Sequence, residues 1–334
     1  MSTSPTFDVT AIGNAIVDVL ARADDSLLTT HELAKGAMSL IDAAAAERLY
    51  AIMGPGIEAS GGSAANTVAG IAALGGRTAY IGKVADDQLG DVFSHDIRAV
   101  GVTYETPRLR NGLATARCLI FVTPDAQRTM QTFLGATTQL GPEDVHMNAV
   151  TSSKVLYLEG YLWDQPRAKA AMRDAAIEAH KAGVKVALTL SDAFCVARFR
   201  DEFVDLVHHH VDILFANESE ILSLYQATTF DAALQHVRGH CEIAALTRSE
   251  KGSVIVSGNE VHVIDAERDV EVVDTTGAGD AYAAGFLYAY TRPRDLATCG
   301  RLASVMAAEV IGHYGARVES DVKALAARVF AAPR

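Results

Sequence analysis

The chain has 334 residues, 49% of them hydrophobic and 21% charged, and carries a formal net charge of −12 at pH 7. These values suit a soluble globular enzyme with a sizeable core, built as one large domain or a domain with an appendage. The acidic balance excludes the basic footprint of a nucleic-acid or anionic-membrane surface, so an anionic substrate would need positive charge concentrated locally. Cys118, Cys195, Cys241 and Cys299 are scattered with no Cys-x-x-Cys pair, as expected of reduced thiols. The start, Met-Ser-Thr-Ser-Pro, has neither a basic region nor an apolar stretch, so the expected location is cytoplasmic.

Residues 7–12 alternate apolar and polar and read as a strand running into Gly13-Asn14 and then Asp18. Asn14 and Asp18 read either as a turn residue and a solvated acid, or as an amide and a carboxylate presented to hydroxyls of a polar ligand. Residues 35–41 read as a short strand, and Asp42 as the cap of an alanine-rich helix reaching residue 53. In Ala59-Ser-Gly-Gly-Ser-Ala-Ala-Asn-Thr-Val-Ala-Gly70, Gly61 and Gly62 make a turn that opens a helix. Its small residues allow close packing, and Asn66 stands in the first turn, within reach of a ligand.

Residues 78–84 read as a strand and 87–100 as a helix. From 102 to 133 the texture changes to short alternating segments, 112–122 and 128–133, which reads as a strand-rich insertion. It contains Arg128, either a surface charge or a phosphate ligand. From residue 154 onward strands (155–158, 184–190, 211–215, 243–247, 254–256) alternate with helices (166–182, 217–226, 230–240, 279–290, 295–311, 320–331). That alternation predicts a mostly parallel sheet covered on both faces. His208-His209-His210 reads as the polar end of a helix. Asn217-Glu-Ser-Glu220 is a capping box after a strand. At the carboxyl edge of an α/β sheet its Asn and Glu could also hold Mg2+ through water.

The most informative stretch is Asp274-Thr-Thr-Gly-Ala-Gly-Asp280, preceded by a strand-like alternation at Val270, Val272 and Val273. It opens an uncharged segment, 281–290, too short to span a membrane and therefore read as a buried helix. Gly277 and Gly279 leave backbone N–H groups free at a helix N-terminus, where a transferring anion can be held. Asp280 beside them either caps the helix or accepts a proton from an attacking hydroxyl. Gly-x-Gly-x-x-Gly fails here because Tyr282 stands at its third glycine, and no P-loop or kinase His-Arg-Asp motif occurs.

Gly61-Gly-Ser-Ala-Ala-Asn66, Asn217-x-x-Glu220 and Asp274-Thr-Thr-Gly-Ala-Gly-Asp280 together resemble the PfkB family of ribokinases, fructokinases and adenosine kinases over nearly the whole chain. The resemblance implies a doubly wound, mostly parallel α/β core with helices on both faces, at 1–15, 43–101 and 137–334. A small β-sheet lid, from 16–42 and 102–136, would complete it. It implies transfer of the γ-phosphoryl of MgATP to an exocyclic CH₂OH, with Asp280 as base and Gly277, Ala278 and Gly279 as anion hole. By the same resemblance Asn14, Asp18, Gly61, Gly62 and Asn66 would bind sugar hydroxyls. Asn217, Glu220, Thr247, Gly252 and Thr275 would serve ATP and Mg2+, and K+ would lie at Asp274, Thr276 and a loop near 311–316. Lids of this family also mediate dimers, so the chain is a monomer or a homodimer through the lid. One departure stands out: Ser249 in Thr247-Arg-Ser-Glu-Lys-Gly252 replaces the first glycine of the family's Thr-x-Gly-x-x-Gly.

Gly13-Asn-Ala-Ile-Val-Asp18, the run from Ile81 to Gly90 and Arg128 resemble adenosine kinases more than sugar kinases. Tyr161 and Trp163 would then offer an aromatic face to a purine, or else pack in the core. The expected acceptor is the 5′-hydroxyl of adenosine or a related nucleoside. A ribose or fructose kinase is the alternative, followed by a non-catalytic sugar- or nucleotide-binding regulator, against which the presence of Asp280 argues.

Overall fold

Apolar runs without alternation are the mark of strands buried on both faces, and such runs build the centre of this molecule. The computed structural model describes residues 5–125 and 127–332. Residues 1–4, 126 and 333–334, which the expected core and lid segments include, lie outside the described residues. In chain order the strands are β1 (Phe7–Ile12), β2 (Ile16–Arg22), β3 (Met38–Leu40), β4 (Gly56–Gly61), β5 (Thr78–Ile81), β6 (Val102–Tyr104) and β7 (Ala116–Val122). They continue with β8 (Arg128–Phe133), β9 (Ser153–Glu159), β10 (Lys185–Thr189), β11 (Ile213–Asn217), β12 (Ile243–Thr247), β13 (Ser253–Ser257) and β14 (Glu260–Ile264).

The large sheet has the order β14-β13-β12-β11-β10-β9-β1-β5-β6. Its strands from β12 to β6 run parallel, and β13 and β14 add an antiparallel hairpin at one edge. Helices cover both faces. Ile71, Phe93, Phe286 and Leu302 pack on one face, and Met172, Phe203, Ile221 and Phe230 on the other. The helix Ala278–Tyr290, uncharged after Asp280, is buried along almost its whole length, and Gly70 of the helix Ser63–Ala73 lies directly against its Ala284. The small residues of these helices therefore serve close packing, as their pattern suggested.

The smaller sheet has the order β3-β8-β7-β2-β4. Two of its boundaries differ from expectation. β4 lies within the 43–101 segment assigned to the core, yet it pairs antiparallel with β2. Its sequence, Gly-Ile-Glu-Ala-Ser-Gly, carries two glycines and little alternation, so it shows no strand pattern. β6 lies within the 102–136 segment assigned to the lid, yet it extends the large sheet beside β5. The alternation at 270–273 forms no ladder. Val272 is exposed, and the Val273 N–H donates to the Ile311 carbonyl at 2.8 Å. Alternation supplies two faces, but a strand also needs a partner edge.

Candidate active site

β1 has β5 on one side and β9 on the other, so the chain leaves it in opposite directions. Open α/β sheets bind ligands at such a switch point, beyond the carboxyl ends of the strands. Asn14 follows β1 there, and Glu159 ends β9. Glu159 is 1% exposed. Its Oε1 accepts the Asn14 N–H at 3.2 Å and the Asn14 Nδ2 at 2.6 Å, and its Oε2 accepts the Ala64 N–H at 2.9 Å. Thr137 donates to Asn14 Oδ1 at 2.9 Å. Burial pushes the Glu159 carboxyl up to about 7, against these donors, which favour its charged form.

This arrangement gives a signed pH prediction. The folded pKa of Glu159 lies above its ordinary 4.5, so its contribution to stability is complete below that value and is lost as pH rises through about 7. Asp18 and Glu220 act with the same sign. Glu159→Gln is expected to reduce the decline in stability between about pH 4.5 and 7 without abolishing it. At the acid end the variant loses about 1–3 kcal/mol, because an amide –NH₂ cannot accept from Ala64. Urea unfolding across pH measures both, and identical pH slopes in the two proteins would sink this account.

Gly61 and Gly62 are fixed by what lies against them. A Cβ at Gly61 would stand 2.3 Å from Asp18 Oδ2, and one at Gly62 would stand 2.1 Å from the Asn14 carbonyl oxygen. Gly62 also has φ +99°, which disfavours other residues. The glycine pair thus lets the strand end and the helix Ser63–Ala73 close over Asn14 and Asp18. Among the described residues the Asp18 carboxylate has no hydrogen-bond partner, and burial pushes it up to about 7 although Arg317 and Arg128 pull it down.

Asp280 stands in the first turn of the helix Ala278–Tyr290. Its Oδ1 accepts from Ser63 Oγ at 2.6 Å and its Oδ2 from Asn66 Nδ2 at 3.0 Å. The two glycine-opened helices therefore meet at their N-termini through this carboxylate. Burial raises the pKa of Asp280 above its ordinary value, while the bonds from Ser63 and Asn66 and the charge of Arg317 oppose the rise. Arg317 donates from Nε to Asn66 Oδ1 at 2.9 Å, and from Nη2 to the Ser60 carbonyl at 3.0 Å and Ser60 Oγ at 3.1 Å. That chain of bonds orients the Asn66 amide and leaves its –NH₂ for Asp280.

Gly277 has φ +79°, and a Cβ there would stand 2.6 Å from Ala316 Cβ. The turn it makes ends at the first helical bond, from the Ala281 N–H to the Gly277 carbonyl. Among the described residues the N–H groups of Gly279 and Asp280 have no acceptor, so the helix start offers them outward. Asp274 and Thr276, just before it, are bonded to Arg128. Arg128, expected as a surface charge or a phosphate ligand, is instead buried and paired with Asp274, and Arg317 is engaged by Asn66 and Ser60.

Along the same sheet edge Asn217 lies in register with Thr247 on adjacent parallel strands. Asn217 and Glu220 form the capping box: the Asn217 N–H and Nδ2 donate to Glu220 at 2.9 and 2.6 Å, and the Glu220 N–H donates to Asn217 Oδ1 at 2.9 Å. Glu220 is buried, which pushes it up to about 7. Thr275 is exposed beside the turn, and Gly252 leads into β13. Ser249 has φ +52°, so the position where the family's glycine stands does take a left-handed backbone, here in a serine. Tyr161 is 38% exposed, whereas Trp163 is fully buried and donates to Glu202 at 3.2 Å. Trp163 therefore cannot present a face to a ligand.

Contacts bring Asn14, Asp18, Gly61, Gly62, Asn66, Asp280 and the 277–279 turn together at the ends of β1, β2 and β4 and the starts of the two helices, and Asn217, Glu220 and Thr247 lie at the ends of β11 and β12. Sequence reasoning missed Ser63, Glu159 and Arg317. Ser63 follows the glycine pair at the helix start, and Glu159 is a lone acid closing an apolar strand. Both are legible signals in hindsight. Arg317 has no local mark, because its partners lie some two hundred and fifty residues earlier.

The doubly wound sheet, the smaller sheet and these facing helix starts define a ribokinase-like kinase. A family model for pfkB family carbohydrate kinases matches residues 57–323, and the chain belongs to that family. It is an ATP-dependent kinase with an alcohol group as acceptor. An adenosine kinase from Sinorhizobium meliloti is 54% identical, covers 96% of this chain and 99% of its own, and superposes with a TM-score of 0.90. A probable sugar kinase protein from Rhizobium etli is 52% identical, covers 98% of this chain and 99% of its own, and has a TM-score of 0.91. The adenosine kinase of Saccharomyces cerevisiae is 26% identical over 339 residues, 95% of this chain and 98% of its own. Among the described residues no helix is long and apolar enough to cross a membrane.

Proposed function

We propose that this kinase transfers the γ-phosphoryl of ATP to the 5′-hydroxyl of adenosine or a closely related nucleoside. The observation that carries the chemistry is Asp280, a carboxylate fixed by Ser63 and Asn66 beside unpartnered helix N–H groups. The acceptor hydroxyl oxygen bonds to the γ-phosphorus as the β–γ bridging P–O bond breaks. ADP leaves with the bridging electrons, and the hydroxyl proton passes to Asp280. The transition state is loose, so positioning and charge stabilisation outweigh early deprotonation. The N–H groups at Gly277, Gly279 and Asp280 receive the transferring oxygens, whereas that of Ala278, expected in the anion hole with Gly277 and Gly279, already donates to the Thr275 carbonyl at 3.3 Å. Asn14, Asp18 and Asn66 meet the ribose hydroxyls; the unpartnered carboxylate of Asp18 suits that task. Tyr161 is left as an open aromatic face for the base.

The family implies Mg2+ with the ATP. Both Glu220 oxygens are bonded to Asn217, and among the described residues no cluster of His, Cys, Asp or Glu could hold a metal directly. This fits an ion held by substrate phosphates and waters, with Asn217 and Glu220 reaching it through water. Once bound, it neutralises charge on the phosphates. The smaller sheet serves as the lid that keeps water from competing with the acceptor. The four free cysteines are in keeping with a reducing, cytoplasmic setting.

The whole-length likeness to proteins named adenosine kinase supports the nucleoside, and the likeness to a probable sugar kinase favours the second reading, a free-sugar kinase. ADP release over adenosine, inosine, guanosine, ribose, fructose and ketodeoxygluconate decides between them. Adenosine is expected to give a kcat/KM at least about tenfold above any free sugar, a difference of roughly 1.4 kcal/mol in transition-state binding. A preference for a free sugar would overturn the nucleoside reading and leave the kinase intact.

A further inference from the structure

The turn that opens the Ala278–Tyr290 helix is held from below by a buried ion pair. The Asp274 side chain is 3% exposed and that of Arg128 is 8%. Asp274 Oδ1 accepts the Thr276 N–H at 3.0 Å, and its Oδ2 accepts the Gly315 N–H at 2.9 Å and pairs with Arg128 Nη2. Arg128 Nη1 donates to the Thr276 hydroxyl at 2.8 Å, and the guanidinium lies 5.8 Å from the Tyr314 ring centroid. The N–H groups of Val273 and Asp274 both donate to the Ile311 carbonyl, and Gly277 rests on Ala316. One carboxylate and one guanidinium therefore join the 274–277 turn, the 312–316 loop and the start of β8.

A monovalent cation at Asp274 and Thr276 does not fit this donor set. Both carboxylate oxygens are engaged, the Thr276 hydroxyl already accepts from Arg128, and K+ beside a fixed guanidinium would meet like charge in a poorly solvated place. Arg suits the task that the ion would otherwise do. It is always charged, and its planar fork spans the carboxylate and the hydroxyl at once. We propose that the Arg128 guanidinium takes the place of a monovalent cation at Asp274 and Thr276, holding the turn and its supporting loop in the shape that anion binding needs. The kinase then has no requirement for K+. Because Arg128 begins β8, the shape of the turn is also tied to the position of the smaller sheet.

The inference rests on the 277–280 turn as the anion site, but its test uses protein without ligand. Thermal unfolding of wild type and Arg128→Met is measured in KCl and in tetramethylammonium chloride at equal ionic strength. The wild-type midpoint is expected to be the same in both salts. Losing the buried partner of Asp274 should lower the midpoint of the variant on the order of 5–10 °C in tetramethylammonium, with part of the loss regained in KCl alone. A selective response of the wild type to K+ overturns the proposal, as does a variant whose loss is the same in both salts. Should Arg128→Met not fold, Arg128→Lys keeps the charge and loses the fork. It is expected to melt lower than wild type and to stay indifferent to K+, and a K+-selective gain in it counts against the proposal. None of these outcomes bears on the acceptor, which the substrate panel reads separately.

Discussion

Asp280→Asn is expected to lower kcat by ~10²–10⁴, or roughly 3–5.5 kcal/mol of barrier, with the melting temperature nearly unchanged. The bonds around the side chain explain why the loss should be chemical. Asn66 must offer its –NH₂ toward residue 280, because Arg317 holds its carbonyl oxygen at 2.9 Å. An asparagine can turn its own carbonyl toward Asn66 and its –NH₂ toward Ser63, whose hydroxyl accepts as readily as it donates. Both contacts survive, and only the proton acceptor disappears. Because burial raises the pKa of Asp280 above the ordinary aspartate value, the acid limb of kcat should lie above that value in the native enzyme and vanish in the variant. Steady-state kinetics across pH, with a melting curve of each protein, make the test. A variant that turns over at close to the native rate reduces Asp280 to a tie between the two helix starts, since its side chain makes no capping bond to its own helix; one that unfolds makes it a structural residue.

What the sequence shows of this fold depends on how each segment is buried. β1 is covered on both faces yet reads from its alternation of apolar and polar residues, while β9 to β12, also covered on both faces, read as apolar runs. β4 and β14 do not, for β4 is glycine-broken and β14 largely exposed. Local glycine motifs marked both helix starts, because a tight turn into a helix constrains neighbouring residues. The partners that complete the site are a different matter. Ser63 and Asp280 are bonded across 217 residues, Asn66 and Arg317 across 251, and Asn14 and Glu159 across 145. No local pattern records such pairs, since each half satisfies only its own element. The same distance hid the pairing that brings Arg128 to Asp274 and Thr276, the residues expected to take K+.

Gly279→Ala separates a ligand's demand from the protein's own. A Cβ at Gly279 would meet no atom within 4 Å, so nothing in the described residues requires glycine there. The position is helical, where alanine is favoured over glycine by up to about 1 kcal/mol, and a small rise in melting temperature is expected. Helical Cα–Cβ bonds tilt toward the helix N-terminus, which puts the new methyl on the side where the outward N–H groups would receive the phosphoryl oxygens. Displacing an anion from such donors costs on the order of 10²–10³ in rate, as for loss of one oxyanion-hole donor. The expected result is therefore a fall of that size in kcat/KM for ATP in a protein at least as stable as the parent. Gly277→Ala is the contrast, since its φ of +79° and the close Ala316 Cβ predict lost stability as well as lost activity. Native-like turnover by Gly279→Ala would mean that no phosphoryl oxygen approaches this turn, and the anion site would have to lie elsewhere.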